Sequence, residues 1–578
     1  MPDKPLYRRP VPRIGDATSS VDRGRNPDDW ALGRATVEAL ARVIDARRDI
    51  RRYRPDDVPA DVVRAVCEAG HHGPSVGHSQ PWRFIVVRDA ATRDRAALMA
   101  DRERIRQAEL LTPDRRRRLL DLQLEGIREA PVGIVVACDR RTPASGVLGR
   151  NTFTDADLWS CAAAIENMWL TARARGLGMG WVTLFEPDEL RTLLGLPDGV
   201  ETLGWLCLGW PDERPPAPGL ERRGWSSRLP LDEVVLAERW PDDGSPEAPI
   251  NALRVAAPDR QRVVGAHDDA DRLLTPGGSL GLLDQALDRV VAAAGPDVDG
   301  GTLVVAAADH PVSAHGISAF DTSVTRDVAT ASAHGVGMGA ATAHAAGLDV
   351  VTVDAGVEGG PVPGAVAARP AGPRGDLVEA DAMAPADARA LLDEGLRLGG
   401  EARGLVCLGE VGVGNTTVAS ALACAFAGLT PDEAVGLGAS ADSAMVATKR
   451  DIVARALRRV AGKALAPLAT LAALGGPEFV VLCGVTLGAA RAGRVVVLDG
   501  LATSVAALAA VRMSPGTQGW LVASHVSREA AHGRVLAELG LEPLLDLRLR
   551  AGEGVGACHA AQMLLTGLRV RRTAARWG

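Results

Sequence analysis

Leu405-Val406-Cys407-Leu408-Gly409-Glu410-Val411-Gly412-Val413-Gly414-Asn415-Thr416-Thr417 reads as an apolar strand, a glycine-rich turn and the opening of a helix. A carboxylate, Glu410, follows the apolar run almost at once. The same arrangement recurs on either side of it: Asp309-His310 after Leu303 to Ala308, Asp354 after Val350 to Val353, Asp499 after Val495 to Leu498, and Ser524-His525 after Leu521 to Ala523. Continuous apolar strands between helical segments imply a parallel sheet covered on both faces, and polar residues at strand ends line the crevice where such sheets bind ligands. An α/β fold is therefore expected for the C-terminal half. Its glycines let backbone N–H groups approach an anion and its helix N-terminus favours negative charge, so Gly412, Gly414, Asn415 and Thr416 read as a phosphate cradle. The lysine of a P-loop is missing.

The first half has a different texture. Amphipathic helical segments (31–46, 60–69, 155–175) alternate with short strand-like runs at 84–87, 134–137, 181–184 and 205–208, an order that suggests α+β. A chain of 578 residues is too long for one core, and residues 241–270, rich in Pro, Asp, Gly and Ala, read as a linker. The expected organisation is a disordered polar tail over 1–30 without a secretory h-region, a domain over 31–240, the linker, and a domain over 271–578.

Composition excludes several classes. A net charge of −7 offers no general field for nucleic acid, and the basic run Arg115 to Arg118 reads as a solvated helix face. The apolar window 464–490 is interrupted by Pro467, Gly475, Gly476, Pro477 and Glu478, so buried helices are expected there and no membrane span. Eight cysteines form no C-x-x-C pair, which fits a reducing cytoplasm and no structural metal.

Four local features carry chemistry. Arg47, Arg48 and Arg51 flank Asp49, and guanidinium groups suit bidentate phosphate recognition, although a solvated charge cluster has the same local text. Residues 73–84, including Ser75 and Gln80, form a turn-rich loop able to hydrogen-bond the edge of a planar heterocycle. Glu553 lies among Gly552, Gly554 and Gly556, open to close approach by a ligand or simply an acid in a turn. Lys449 is one of only three lysines among 65 basic residues, which hints at a need for a compact ammonium.

Arg47-Arg48-Asp49, Pro74-Ser75-Val76-Gly77, Gln80-Pro81-Trp82, Leu124-Glu125-Gly126-Ile127-Arg128, Val147-Leu148-Gly149-Arg150, Gly176 to Thr183 and Trp205 to Gly209 together resemble the nitroreductase-like flavoproteins. More narrowly, they resemble the flavin-cleaving 5,6-dimethylbenzimidazole synthase family. That resemblance implies a nitroreductase-like fold in which reduced FMN is substrate, reacting with O₂ to release dimethylbenzimidazole and a four-carbon sugar phosphate. It implies FMN binding by Arg47, Arg48, Arg51, Ser75, Gln80, Leu124 and Arg228, with Asp49 carrying protons. Thr183, standing where the family usually has Ser, would support it. A separate flavin reductase and a homodimer or larger assembly are implied partners.

Thr275 to Gly281, Asp309-His310, Gly316-Ile317-Ser318-Ala319, Val324-Thr325, Val353 to Val357, Leu408 to Thr417, Leu487 to Ala490, Ser524-His525 and Arg550 to Gly556 resemble the nicotinate-nucleotide:dimethylbenzimidazole phosphoribosyltransferases. The implied fold is a parallel Rossmann-like sheet plus a small helical part. Glu553 would be the base that deprotonates the benzimidazole. Glu410, Lys449 and the Gly412–Thr416 cradle would hold the nucleotide, and Ser318 would face the base. Departures occur at Ala308-Asp309-His310-Pro311, Pro477 and Ala551. The combined expectation is a bifunctional enzyme of cobamide lower-ligand synthesis. Two alternatives stand beside it: a first half that cycles FMN with NAD(P)H as an ordinary oxidoreductase, or one half that is a silent scaffold.

Overall fold

The computed structural model describes residues 20–28, 30–120, 126–238, 240, 253–436 and 443–577. Contacts divide the chain into two compact units, Asp28–Pro246, and Met1–Pro27 together with Glu247–Gly578.

The N-terminal unit is built on a four-stranded antiparallel sheet of β1 (Trp82–Val87), β2 (Val132–Asp139), β3 (Gly178–Val182) and β4 (Val200–Gly209), in the order β1-β2-β4-β3. Its two faces bury different sets. Helices Ala60–His71 and Ala156–Ala174 bring Val63, Val66, Ala164, Ile165 and Met168 against one face, and Ala96, Ala97 and Ala100 of helix Ala90–Glu109 cover the other. β3 begins three residues before the expected run because two of its first three residues are glycines with low strand propensity. Those glycines have a reason. The segment carrying Asp49 to Arg51 crosses directly over them, and a Cβ at Gly178 or Gly180 would stand 2.8 Å from Ile50 Cγ2 or Arg51 Nη1.

In the C-terminal unit six strands, β5 (Gly301–Ala308), β6 (Leu348–Gly356), β7 (Val366–Ala367), β8 (Leu405–Val411), β9 (Val496–Leu498) and β10 (Leu521–Ala523), form a wholly parallel sheet. Their order is β10-β9-β8-β5-β6-β7. Successive side chains of a strand point to opposite faces. Val304, Ala306, Val406, Leu408, Val496 and Leu498 accordingly enter one core, while Leu303, Val305, Leu405, Cys407 and Val497 enter the other. The first core includes helix Pro385–Glu401 packed on helix Pro477–Arg491 through facing glycines; a Cβ at Gly484 would stand 2.8 Å from Gly395 Cα. The apolar window 464–490 is two buried helices interrupted at Gly475-Gly476, and no described helix is long and apolar enough to cross a membrane.

Two expected boundaries shift. Ser20–Arg25 is helical where a frayed tail was expected, and its Arg23 pairs with Asp268 at 3.1 Å; residues 1–19 lie outside the described residues. The expected linker 241–270 gives way to folded chain from Leu253, since Val255 is buried and its N–H donates to Ser514 Oγ at 2.7 Å. Arg260–Ala270 is then a helix capped by Asp259. Its charged, Asp-rich text buries only Ala266, too weak a stripe to show as periodicity.

Candidate functional site

β5 and β8 are neighbours from which the sheet grows in opposite directions, β6 and β7 on one side and β9 and β10 on the other. Such a reversal opens a crevice at the carboxyl ends of the strands. A cavity of about 790 Å³ lies there, lined by Ser318, Glu410, Gly412, Gly414, Asn415, Thr416, Lys449 and Glu553, among others. Residues far apart in sequence thus share one wall.

Each is placed by its backbone. Gly414 adopts φ 92° and turns the chain from β8 into helix Asn415–Ala427. Gly412 has no room for a side chain, since a Cβ would sit 3.1 Å from His310 Nε2. The Val413 N–H donates to the buried Thr325 hydroxyl at 3.1 Å, which pins the loop from behind. Asn415 Nδ2 donates to Glu410 Oε2. Burial, reinforced by the charges of Asp499 and Glu478, pushes the Glu410 carboxyl up to about 8, against the opposing Asn415 hydrogen bond. Burial lowers the Lys449 ammonium and raises the Glu529 carboxyl, each moderated by the other's charge.

Glu553 sits on the turn into helix Val555–Thr573, with φ 60° followed by φ 81° at Gly554. Its N–H donates to the Glu410 carbonyl at 3.3 Å, and its Oε2 accepts from the Gly339 N–H at 3.1 Å. The close approach depends on glycines remote in sequence. A Cβ at Gly339 would collide with the Glu553 carbonyl oxygen, and one at Gly409 would stand 2.5 Å from the Glu553 carbonyl carbon. Sequence reasoning saw the adjacent glycines and missed these. Met338, Arg528 and Glu529, which also line the cavity, had no part in that reading, whereas Asp499 was expected at the crevice and lines it. Asp499 alone carried a signal, its place after an apolar run.

In the N-terminal unit, Ile50 N–H donates to the Met179 carbonyl at 3.0 Å and lays Asp49 beside β3. Arg51 Nη2 lies 3.0 Å from Asp49 Oδ1 and donates to the Trp181 carbonyl at 3.3 Å; the Trp181 N–H donates to Asp49 at 3.4 Å. Thr183 is exposed just past the end of this strand. Arg47 turns away, its guanidinium 4.6 Å above the Trp169 ring and 3.6 Å from Glu166. Arg48 donates to the carbonyls of Asp45, Arg47 and Pro216 at 2.6, 2.7 and 3.1 Å. Gln80 N–H donates to Ser75 Oγ at 3.1 Å within a turn where His78 and Gln80 have positive φ. Arg228 is exposed, and Leu124 lies outside the described residues. Two buried guanidinium atoms, Arg48 Nε and Arg51 Nη1, have no hydrogen-bond partner among the described residues, so donors suited to an anionic group are present.

A family model described as phosphoribosyltransferase matches residues 255–577, and one for the nitroreductase family matches residues 44–210. The nicotinate-nucleotide–dimethylbenzimidazole phosphoribosyltransferase of Thermus thermophilus is 38% identical over 309 residues, 52% of this chain and 92% of that protein. The 5,6-dimethylbenzimidazole synthase of Rhodospirillum rubrum is 40% identical over 195 residues, 33% of this chain and 92% of that one. The chain belongs to both families. It is a fusion in which the stretch matching the synthase precedes the stretch matching the transferase. The crystal structure of the Thermus thermophilus transferase agrees with the second unit, with a TM-score of 0.52 at 36% identity over 55% of this chain and 97% of that one.

Proposed function

We propose that this chain makes 5,6-dimethylbenzimidazole in its synthase unit and joins it to phosphoribose in its transferase unit, giving α-ribazole 5′-phosphate for the lower ligand of cobamides. One observation carries the reading: Glu553 is aimed by Gly339 into the same cavity that holds the Gly412–Thr416 turn and Lys449. In nicotinate mononucleotide the leaving group is a pyridinium, so the C1′–N bond breaks with its electron pair returning to the nicotinate ring and no acid is needed. The benzimidazole nitrogen with a free lone pair forms the new bond to C1′ from the opposite face, and the N–H proton of the other ring nitrogen passes to Glu553. Inversion gives the α-nucleotide. The 5′-phosphate takes the cradle, Glu410 and Lys449 line the nucleotide side, and Ser318 meets the base.

In the synthase unit, reduced FMN is substrate. The orphaned donors of Arg48 and Arg51 suit its phosphate, with Arg47 and Arg228 joining from outside that pair, and Ser75, Gln80 and Leu124 meeting the flavin. Asp49, fenced by Arg51, handles protons with Thr183 in support. A second copy completes the unit: Val37, Leu40 and Ile44 form an exposed apolar stripe on helix Arg34–Ala46, whose described residues include none that is buried. A separate reductase supplies the reduced flavin. All eight cysteines are free thiols, which accords with a reducing cytoplasm. The test is reduced FMN, air and nicotinate mononucleotide with pure protein, followed by mass spectrometry. α-Ribazole phosphate and stoichiometric loss of flavin support the proposal; regenerated FMN without dimethylbenzimidazole overturns it in favour of an ordinary oxidoreductase.

A further inference from the structure

Glu553 is a non-glycine residue in the left-handed region, next to a glycine with φ 81°. A conformation of this kind persists only where its surroundings over-determine it. Gly339 holds the side-chain end. The backbone end rests on a group that the proposed chemistry leaves without a task. Asp499, at the end of β9, is 2% exposed, and its Oδ1 accepts the Ala557 N–H at 3.1 Å in the first turn of helix Val555–Thr573. The amides of Gly556 and Gly554 also favour its charged form. Its own N–H donates to Thr503 Oγ1 at 2.9 Å, so Asp499 is itself fixed by helix Leu501–Met513. Gly556 leaves the space it needs, because a Cβ there would stand 2.8 Å from Asp499 Oδ1 and collide with the His525 ring.

We propose that Asp499 is a positioning residue for phosphoribosyl transfer: seated under the turn that carries Glu553, its carboxylate gathers the opening amides of helix Val555–Thr573 and keeps Glu553 directed at Gly339 and the cavity. This rests on the reading of Glu553 as the base. A negative group among helix N-terminal amides is favoured by their partial positive charge. The clasp weakens when Asp499 is protonated. Burial, with the Glu553 charge adding to it, pushes that carboxyl up to about 7, so the clasp is complete above this pH and is lost below it. Other titratable groups face it: Glu410 and Cys407 from β8, Glu553 from the loop, and His525 beyond β10, with Nδ1 at 3.9 Å.

The experiment uses the full chain with Asp499→Asn, Gly556→Ala, Glu410→Gln and Glu553→Gln, assayed on nicotinate mononucleotide and dimethylbenzimidazole from pH 5.5 to about 9. Asp499→Asn should lower kcat by roughly 10²-fold, the scale of a slightly misplaced catalytic group. KM and the calorimetric affinity for nicotinate mononucleotide should stay within about threefold of wild type. The decline of kcat below neutral pH should disappear in this variant and persist in Glu410→Gln. Gly556→Ala, which crowds the same carboxylate without removing it, should show the same split of kcat from KM and decides the matter if the asparagine variant does not fold. Wild-type kcat in Asp499→Asn, or loss of kcat together with nucleotide binding in both variants, overturns the proposal. Activity surviving in Glu553→Gln would instead remove the base on which it rests.

Discussion

Glu553 and Asp49 are both single carboxylates beside a strand, yet their neighbours suit them to different work. Glu553 is met by a neutral backbone donor and opens onto a cavity; Asp49 is met by a guanidinium. Glu553→Gln should therefore abolish proton acceptance alone. Phosphoribosyl transfer is expected to fall by roughly 10²-fold or more while flavin cleavage continues, so free dimethylbenzimidazole accumulates in the coupled assay. Near wild-type formation of α-ribazole phosphate would exclude Glu553 as the base. For Asp49→Asn the expected pattern is the reverse. Binding of reduced FMN, followed by anaerobic fluorescence titration, should survive, because Arg51 loses a competing partner and keeps its donors. Cleavage should stop. Dimethylbenzimidazole still appearing from this variant would move the proton carrier to Thr183 or elsewhere.

At the scale of elements, the pairing of helices Pro385–Glu401 and Pro477–Arg491 has no slack. Gly395 and Gly399 lie against the backbone of the second helix, and Gly484 and Gly488 against that of the first. Gly484→Val should overpack this contact and cost about 1–3 kcal/mol, visible as a lower melting temperature of the transferase unit. The ends of β8 and β9 give a pH dependence. Glu410 and Asp499 both have carboxyls raised by burial, to about 8 and about 7. A raised acid binds its proton more tightly in the folded state, so its contribution is complete below about pH 4 and is lost as pH rises through 7 and 8. Melting temperature should fall by on the order of a few degrees between pH 5 and 8, and less in Glu410→Gln. An unchanged slope in that variant would count against Glu410 as a source. The strands of this sheet were legible in the sequence because burial on both faces writes them as unbroken apolar runs. β3 was not fully legible, since its glycines answer to Ile50 and Arg51 passing over them. The glycine-rich turn after β8 and the carboxylate of Glu553 among glycines were legible as local text, whereas Gly339, Gly409 and the contact of Asp499 with Ala557 exist only through tertiary contact and leave no local pattern.

For the whole molecule, the question is what joining the two activities achieves. Dimethylbenzimidazole is small and largely neutral, and the chain between the units is rich in Pro, Asp and Gly, a composition suited to a tether and not to a sealed passage. Raised local concentration is expected, with little obligate transfer from one site to the other. With labelled FMN and excess unlabelled dimethylbenzimidazole in solution, the α-ribazole phosphate formed should be mostly unlabelled; a product that stays labelled would mean a closed route. Residues 20–27 add a topological consequence. They belong to the transferase unit, so the synthase unit is a guest spliced into its host, with both of its ends leading back to the same body. Excising the guest by joining residue 27 to residue 247 would therefore leave every host segment in place, whereas a cut before residue 247 alone would strip Arg23 from Asp268 and deliver a host missing one of its own parts.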